Sequence, residues 1–219
     1  MKDNKLILTL YILTLLRLIL CFVPRRPKWE YWRNIGREYL DSFIMAGMVA
    51  ILIITFVVRS FYIPSESMVP TLLVNDYILV NKFVYHFSTP SRGEIVVFHP
   101  PHVEHPEAVD FIKRCIAVEN DVVEINNGVL YLNGIALREP YIKEPPLNNF
   151  GPYRVPPGHV FMLGDNRNNS DDSRFWGPLP LKNVVGKAEF IFWPFRRAGN
   201  LYPSDRNLPN EAAAYANPI

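Results

Sequence analysis

The sequence has almost no excess charge of either sign: 23 lysines and arginines face 21 aspartates and glutamates, for a formal net charge of +2. Chains that bind nucleic acid usually carry a basic excess, so nothing here favours such a partner. Cysteine is also scarce. Cys21 lies in an apolar run and Cys115 follows Lys113 and Arg114, so we expect no disulfide between them, and the redox compartment stays open.

Glycine is scarce relative to proline, with 11 residues against 20, and no internal repeat is visible. This composition favours a rigid body that is rich in loops. The 219 residues are enough for one large or two small domains. Apolar residues are concentrated in two runs near the N-terminus, so a membrane segment has to be considered first.

The second apolar run, Ser42 to Val58, contains no charged residue over 17 positions. With the following residues it reaches the roughly 20 positions needed to cross a bilayer, so we predict a span over 42–60, with a buried core helix as the alternative. The first run, Leu6 to Val23, contains Arg17, which is costly in a bilayer unless it snorkels to an interface. We predict a span over 6–23, with an interfacial helix or a signal-like segment as the alternatives.

The segment between the two runs, residues 24–41, is basic and rich in aromatic residues suited to a membrane interface. The positive-inside rule predicts a cytoplasmic loop here and places everything after the second run on the other side. We therefore expect a folded domain over 61–200 on the extracytoplasmic side of a bacterial-type cytoplasmic (inner) membrane, followed by a flexible tail over 201–219. The residues that carry this prediction are Arg25, Arg26, Lys28, Trp29, Tyr31, Trp32, Arg33 and Arg37.

Beyond Phe61 the long apolar runs give way to short alternating ones rich in Val, Ile, Phe and Tyr, which predict β-strands separated by turns. Asn127-Gly128, flanked by strand patterns, is a strong hairpin signal. The proline-rich stretch Lys143 to Gly158 is predicted to be a loop. The fold class is therefore mainly β: an antiparallel β-sheet domain preceded by one or two N-terminal transmembrane helices.

Two serines lie close together in "PSESM", between Pro64 and Pro70. Prolines restrict the backbone, so Ser65 and Ser67 are expected on a stiff extended or turning segment. A serine-rich turn would explain the pattern, but a serine nucleophile with a nearby base would explain it too. The histidine-rich "HPPHVEH" that begins at His99 is not expected to bind metal, because its prolines prevent a helical ligand face.

Lys113 falls in the middle of the strand pattern "DFIKRCIAV", with Phe111 and Cys115 on the same face. Burial among apolar neighbours lowers the pKa of a lysine and makes it a usable base near neutral pH. The alternatives are an edge-strand lysine that discourages aggregation and a cysteine nucleophile at Cys115. A third polar segment, Gly164 to Gly177, is either a solvated turn or a loop that holds such a lysine by hydrogen bonds.

Together and in this order, the segments resemble type I signal peptidase, the membrane-bound leader peptidase family. "IPSESMVPTL" resembles its nucleophile box, "RGEIVVF" (Arg92 to Phe98) the strand that follows, "IKR" the lysine box and "GDNRNNSDDSR" the last box. The resemblance covers most of the chain from Phe61 to Gly177. It implies a Ser–Lys dyad with Ser67 as nucleophile and Lys113 as general base, and an oxyanion hole made by the Ser65 hydroxyl and the Ser67 N–H.

The resemblance also implies supporting roles in the last box. Ser170 would orient the Lys113 amine, Asp172 and Arg174 would brace their loop, and Asp165 would pair with Arg114. The pockets for small substrate side chains would be lined by Phe61, Ile63, Met68, Leu72, Ile78, Val97, Phe111 and Ile112.

Two positions depart from the family pattern. Glu66 stands where many members have glycine, and "AVEND" replaces a common G-L-P-G-D after Ile116. Asn120 can still adopt the left-handed conformation that this turn requires. The short interval before Gly164 predicts a small accessory hairpin over about 119–160.

The implied function is a membrane-bound serine endopeptidase that removes N-terminal signal peptides from exported preproteins. Its expected partners are those preproteins and the lipid bilayer, without a metal, cofactor or nucleic acid. Another Ser–Lys peptidase, of the self-cleaving repressor or pilus-processing type, is the alternative enzyme. A non-catalytic membrane-anchored binding protein is the alternative outside enzymes.

Overall fold

The computed structural model describes residues 11–18, 30–52, 58–101 and 110–202, which fall into two units divided between Val58 and Arg59. In the first unit, residues 11–18 form helix α1 and Glu30–Leu52 form helix α2. The charge of Arg17 has a partner in this unit, because its Nη2 donates to Asp41 Oδ2 of α2 at 3.1 Å.

Within the described ranges, neither helix of the first unit has both the length and the apolar character that a bilayer crossing requires. Both predicted spans, 6–23 and 42–60, lie partly outside the described residues. Two predicted boundaries differ from the structure. The loop predicted over 24–41 is helical from Glu30 onward, and residues 58–60, predicted to end the second span, begin strand β1 (Val58–Tyr62). Arg59 and Ser60 are exposed there, as their polar side chains favour.

The second unit is built from β-strands, which confirms the mainly β fold class. The short alternating runs seen in the sequence form most of them, because residues two apart share one buried face. The strands are β1 (Val58–Tyr62), β2 (Tyr77–Asn81), β3 (Ile95–Phe98), β4 (Phe111–Ala117), β5 (Val122–Asn126), β6 (Val129–Leu132), β7 (Ile135–Ala136), β8 (Phe150–Arg154), β9 (His159–Leu163), β10 (Leu179–Pro180), β11 (Val184–Trp193) and β12 (Gly199–Asn200).

The described strands form two sheets. The larger has the order β1-β2-β11-β3-β4-β9-β10, with β12 paired to β11, and the smaller has the order β7-β6-β5-β8. The pairs β2–β11, β11–β3, β3–β4, β4–β9 and β9–β10 are antiparallel. Residues 203–219, most of the predicted tail, lie outside the described residues.

Turn residues behave as their chemistry requires in the smaller sheet. Asn127 and Gly128 join β5 to β6 with φ of 48° and 80°, as a tight hairpin turn requires. Asn120 has φ of 69°, which confirms the left-handed conformation expected there. The prediction of a continuous loop over 143–158 was wrong, because β8 runs through it. Pro152 fits in β8 because that strand lies at the sheet edge, where a missing N–H is tolerated.

Strand β4 lies inside the larger sheet between β3 and β9, and its side chains enter three apolar clusters. Ile112 joins the first, Ile116 and Ala117 join the second, and Cys115 joins the third. Lys113 is therefore on a buried strand, and its side chain is only 4% exposed. The alternative of an edge-strand lysine is wrong for this fold.

Candidate active site

Ser67 lies on a tight turn that follows β1. The Val69 N–H donates to Glu66 O at 3.1 Å and the Leu72 N–H donates to Met68 O at 2.9 Å, so the chain reverses around the serine. Ser67 is 7% exposed and Met68 is fully buried. Met68 thus anchors the turn in the core, while Glu66 on the other side of Ser67 is exposed.

Lys113 reaches this serine from β4. Its Nζ lies 2.7 Å from Ser67 Oγ, to which it donates, and it also donates to Ile112 O at 3.1 Å. Burial lowers the pKa of Lys113 to about 8, although the negative charges of Asp172, Asp171 and Asp165 act in the opposite direction. A serine hydroxyl and a weakly basic amine at this separation can exchange a proton.

Ser65 lies on the same side as Ser67, with 3.4 Å between the two Oγ atoms. The backbone from Ser65 to Met68 bends and turns and is not a straight strand. The two hydroxyls therefore come together through the turn. Ser65 is exposed, so its hydroxyl can be reached from solvent. Glu66, between the two serines, is also exposed.

Asp165, in the loop after β9, connects strand β4 to the turn that carries Ser67. This carboxylate accepts from Arg114 Nε at 2.9 Å and from Arg114 Nη2 at 2.8 Å, and the pair is almost fully buried. Asp165 also accepts from Thr71 Oγ1 at 2.5 Å. The expected Asp165–Arg114 contact is therefore present, and Thr71 extends it to the turn that carries Ser67.

Asp172 and Arg174 form a second ion pair in the same loop. Arg174 Nε donates to Asp172 Oδ1 and Nη2 donates to Oδ2, each at 2.8 Å. Asp172 also caps the short helix α3 (Ser173–Trp176) and accepts from the Gly164 N–H at 3.2 Å. The two ends of the loop are thereby held together.

Ser170 lies close to the turn that carries Ser67, without the expected bond to Lys113. Its Oγ is buried, and no group among the described residues forms a hydrogen bond with it. A side chain added at Gly164 would meet both Ser170 Oγ and the Ser67 carbonyl oxygen. Ser170 therefore packs behind the dyad, and only the close approach allowed by Gly164 makes room for it.

The residues expected to line substrate pockets are gathered mainly in one apolar cluster beneath the Ser67 turn. Met68, Leu72 and Ile78 are fully buried in it. Phe111 packs elsewhere, in the cluster that contains Cys115. The members of the expected set found in the first cluster are Phe61, Ile63, Met68, Leu72, Ile78, Val97 and Ile112.

Cys115 is unsuited to be a nucleophile. Its side chain is fully buried, and this burial raises the pKa of the thiol well above its usual range, so the thiolate does not form near neutral pH. Within the described ranges, no group of three His, Cys, Asp or Glu side chains is arranged to hold a metal ion. His102 and His105 of "HPPHVEH" lie outside those ranges.

Sequence reasoning missed two residues that touch the nucleophile segment. Thr71 bonds to Asp165, and Asn166 donates from its backbone N–H to Ser67 O at 3.0 Å and from Nδ2 to Glu66 O at 3.1 Å. Both stand inside the motifs that carry the resemblance. Polar side chains next to buried positions indicate that Thr71 and Asn166 need hydrogen-bond partners. The sequence does not identify those partners, because they lie about 100 residues away in the chain.

A serine hydroxyl hydrogen-bonded to a buried lysine on a β-sheet scaffold is the arrangement of a serine peptidase that uses lysine as its base. The family model described as signal peptidase, peptidase S26, matches residues 36–193. The chain therefore belongs to this family.

Several relatives are similar over most of the chain. It is 47% identical over 182 residues to probable signal peptidase I-1 of Synechocystis sp., covering 81% of this chain and 91% of the relative. It is also 47% identical over 170 residues to signal peptidase I of Leptolyngbya laminosa, covering 76% and 84%. Thylakoidal processing peptidase 1 of Arabidopsis thaliana is 43% identical over 168 residues, covering 74% of this chain and 49% of the relative.

Proposed function

We propose that this chain is a membrane-bound endopeptidase that removes N-terminal signal peptides from exported preproteins by a Ser–Lys mechanism. The observation that carries the proposal is the 2.7 Å separation between Ser67 Oγ and Lys113 Nζ, with the lysine buried. The names of the relatives supply the substrate class. A non-catalytic binding protein would gain nothing from a lysine whose pKa is lowered to about 8 beside a serine hydroxyl.

In the first step, neutral Lys113 takes the proton of Ser67 Oγ as that oxygen bonds to the carbonyl carbon of the scissile peptide. The lysine ammonium then gives its proton to the leaving amine as the C–N bond breaks, which leaves an ester on Ser67. A water molecule attacks the ester carbon as it gives one proton to Lys113, and the bond to Ser67 breaks as the Lys113 ammonium returns that proton to Ser67 Oγ.

The negative charge that develops on the carbonyl oxygen needs donors aimed at it. We assign this role to the Ser65 hydroxyl and the Ser67 backbone N–H, because Ser65 Oγ lies 3.4 Å from Ser67 Oγ on the exposed side of the turn. The Asp172–Arg174 and Asp165–Arg114 pairs hold the loop and strand behind these groups. Ser170 Oγ and Ser67 O both lie close to Gly164, so the three residues leave no room for a side chain at position 164.

The substrate would bind in an extended conformation and add to a strand edge. Strand β1 lies at an edge of the larger sheet and leads directly into the Ser65–Ser67 turn. Small residues at the −1 and −3 positions of the cleavage site suit shallow pockets formed over the apolar cluster beneath the turn.

The basic segment over 24–41 supports a membrane anchor with the peptidase unit on the extracytoplasmic side. We propose a bacterial-type cytoplasmic membrane. A relative named as thylakoidal makes the thylakoid membrane the specific alternative. Fractionation of cells that make a tagged chain, followed by protease treatment of sealed vesicles from each membrane, distinguishes the two locations and the orientation.

Cleavage of a model preprotein by the full chain in detergent tests the proposed activity. We expect Ser67→Ala to abolish cleavage while the chain still folds, because the substitution removes the hydroxyl and one hydrogen bond from Lys113 but no apolar contact of the core. Ser88→Ala is the matched control, since Ser88 is exposed and its hydroxyl donates only to Val84 O. Activity that survives in Ser67→Ala but is lost in Cys115→Ala would refute the serine mechanism.

A further inference from the structure

Asn166 donates hydrogen bonds to the carbonyl oxygens of Glu66 and Ser67, which belong to the peptide groups before and after Ser67. Its backbone N–H donates to Ser67 O at 3.0 Å, and its side-chain Nδ2 donates to Glu66 O at 3.1 Å. The residue is 1% exposed, so substrate cannot reach it. A single buried residue thus fixes two successive peptide groups of the nucleophile turn.

The bond to Glu66 O has a consequence for the Ser67 N–H. These two groups belong to the same planar trans peptide, in which the C=O and N–H point in opposite directions. Glu66 O is held by Nδ2 of Asn166 and by the Val69 N–H at 3.1 Å. Fixing the carbonyl oxygen therefore fixes the direction of the N–H. No acceptor among the described residues takes a hydrogen bond from that N–H.

The side-chain amide of Asn166 has only one orientation that suits this contact. With Nδ2 towards Glu66 O the pair is a hydrogen bond, whereas the flipped amide would place two acceptor oxygens against each other. Oδ1 has no partner among the described residues, so no second hydrogen bond of this amide favours the opposite orientation. The hydrogen bond to Glu66 O therefore determines which side of the buried Asn166 amide carries Nδ2.

We propose that Asn166 is a positioning residue that aims the Ser67 N–H at the oxyanion of the tetrahedral intermediate. The proposal rests on the proposed function, since it assigns a role within the same reaction. A donor aimed at developing charge acts in the transition state, so its misalignment lowers kcat more than it changes KM. Loss of a whole oxyanion donor costs about 10²–10³ in kcat, and a misaligned donor should cost between about tenfold and that limit.

The test replaces Asn166 by leucine, which has a similar volume but no donor, and by alanine as a second variant. The backbone bond from residue 166 to Ser67 O remains in both. Asn168→Leu is the matched control: Asn168 lies in the same loop, is exposed, and bonds only to Pro145 O and the Leu147 N–H. Each full-length variant in detergent is assayed for kcat, KM and pH dependence with one model preprotein, and its thermal unfolding is measured.

We expect kcat to fall at least about tenfold in both Asn166 variants, with KM changed less than about twofold and Asn168→Leu like wild type. The apparent pKa of kcat/KM should stay at the wild-type value, because neither variant alters the charges around Lys113. An unchanged kcat overturns the proposal, as does a loss confined to KM or a shifted pH profile with full activity at its plateau. If both variants fail to fold, Asn166 is a structural residue and the proposal is likewise overturned.

The proposed function is judged separately in the same assay. A wild-type chain that does not cleave the preprotein refutes the proposed function. A wild-type chain that cleaves it, together with Asn166 variants that cleave equally fast, refutes only the role of Asn166.

Discussion

The protonation of Lys113 should control how cleavage depends on pH. Burial lowers the pKa of Lys113 from an ordinary value of 10.5 to about 8. At pH 7, about one lysine in ten is then neutral, against about one in three thousand at the ordinary value, so burial increases the amount of active base about 300-fold. Because only the neutral amine can accept the Ser67 proton, kcat/KM should rise about tenfold per pH unit below pH 8 and level off above it.

An exposed acid near the lysine offers a perturbation of known sign. The negative charge of Asp171 raises the pKa of Lys113, so Asp171→Asn should move the rising limb of the profile to lower pH. The displacement should shrink at high salt, because Asp171 is exposed and its charge is screened. Glu124→Gln is the control, since Glu124 is not among the charges that act on Lys113. The assay measures initial rates with a model preprotein from pH 6 to 10 under conditions where chemistry limits the rate.

The unfolding free energy gives a check that does not depend on mechanism. The folded state binds the lysine proton more weakly than the unfolded state does, so the protonated amine destabilises the fold below about pH 8. That penalty, up to about 3 kcal/mol for a pKa lowered from 10.5 to about 8, is relieved as the pH rises between those values. Lys113→Met should lack this rise and be the more stable chain at pH 6.

Three results would refute this account of Lys113. A flat cleavage profile between pH 6 and 10 would show that no lysine deprotonation limits the reaction. A rising limb centred near pH 10.5 would show that burial does not lower the pKa of the lysine. An Asp171→Asn profile displaced to higher pH would mean that the electrostatic reasoning has the wrong sign.

Substitutions at two further positions, Ser65 and Gly164, test the geometry around Ser67 and Lys113. Ser65→Ala should lower kcat about 10²–10³-fold with little change in KM, and Ser65→Thr should recover part of the loss, both measured by preprotein cleavage. A rise in KM alone would make Ser65 a substrate-positioning residue. Gly164→Ala should abolish cleavage and lower the thermal midpoint, because its Cβ would lie 2.5 Å from Ser67 O and also collide with Ser170. Gly199→Ala, whose Cβ meets nothing closer than 3.9 Å, should match wild type, and a fully active Gly164→Ala would contradict the close packing.

The strands were predictable from the sequence because their signal is local. Short runs rich in Val, Ile, Phe and Tyr, interrupted by turn residues such as Asn127-Gly128, indicated where most strands lie. Alternation also indicated the buried face of β5 and β6, whereas β3 and β9 are buried on both faces inside the larger sheet. Strand β8 escaped because Pro152 and its proline-rich flanks carry a loop signal. Only the pairing with β5, which leaves β8 at a sheet edge, makes a strand possible there.

Sequence motifs predicted the main residues of the candidate site, but not all the contacts that those residues make. Ser67 and Lys113 were identified by resemblance, and the structure places them 2.7 Å apart across 46 positions of sequence. No periodicity encodes that Thr71 meets Asp165, 94 positions later, or that Asn166 lies against Glu66. Such contacts depend on which loops the sheet order brings together, and that order is set by the pairing of whole strands.

The buried charges behind the dyad make sense as positioning devices and not as sources of stability. A buried ion pair contributes little to folding after the cost of desolvation, so Arg114–Asp165 needs another explanation for its place in the core. Ser67 lies on a turn, which has no strand ladder to fix it, yet proton transfer to Lys113 requires a separation held within a few tenths of an ångström. The Arg114–Asp165 pair, through Thr71, connects that turn to the strand that carries Lys113. Ser67 and Lys113 are thus positioned by one polar network. Its hydrogen bonds are directional, so they fix the relative position of the two residues in a way that apolar packing alone would not.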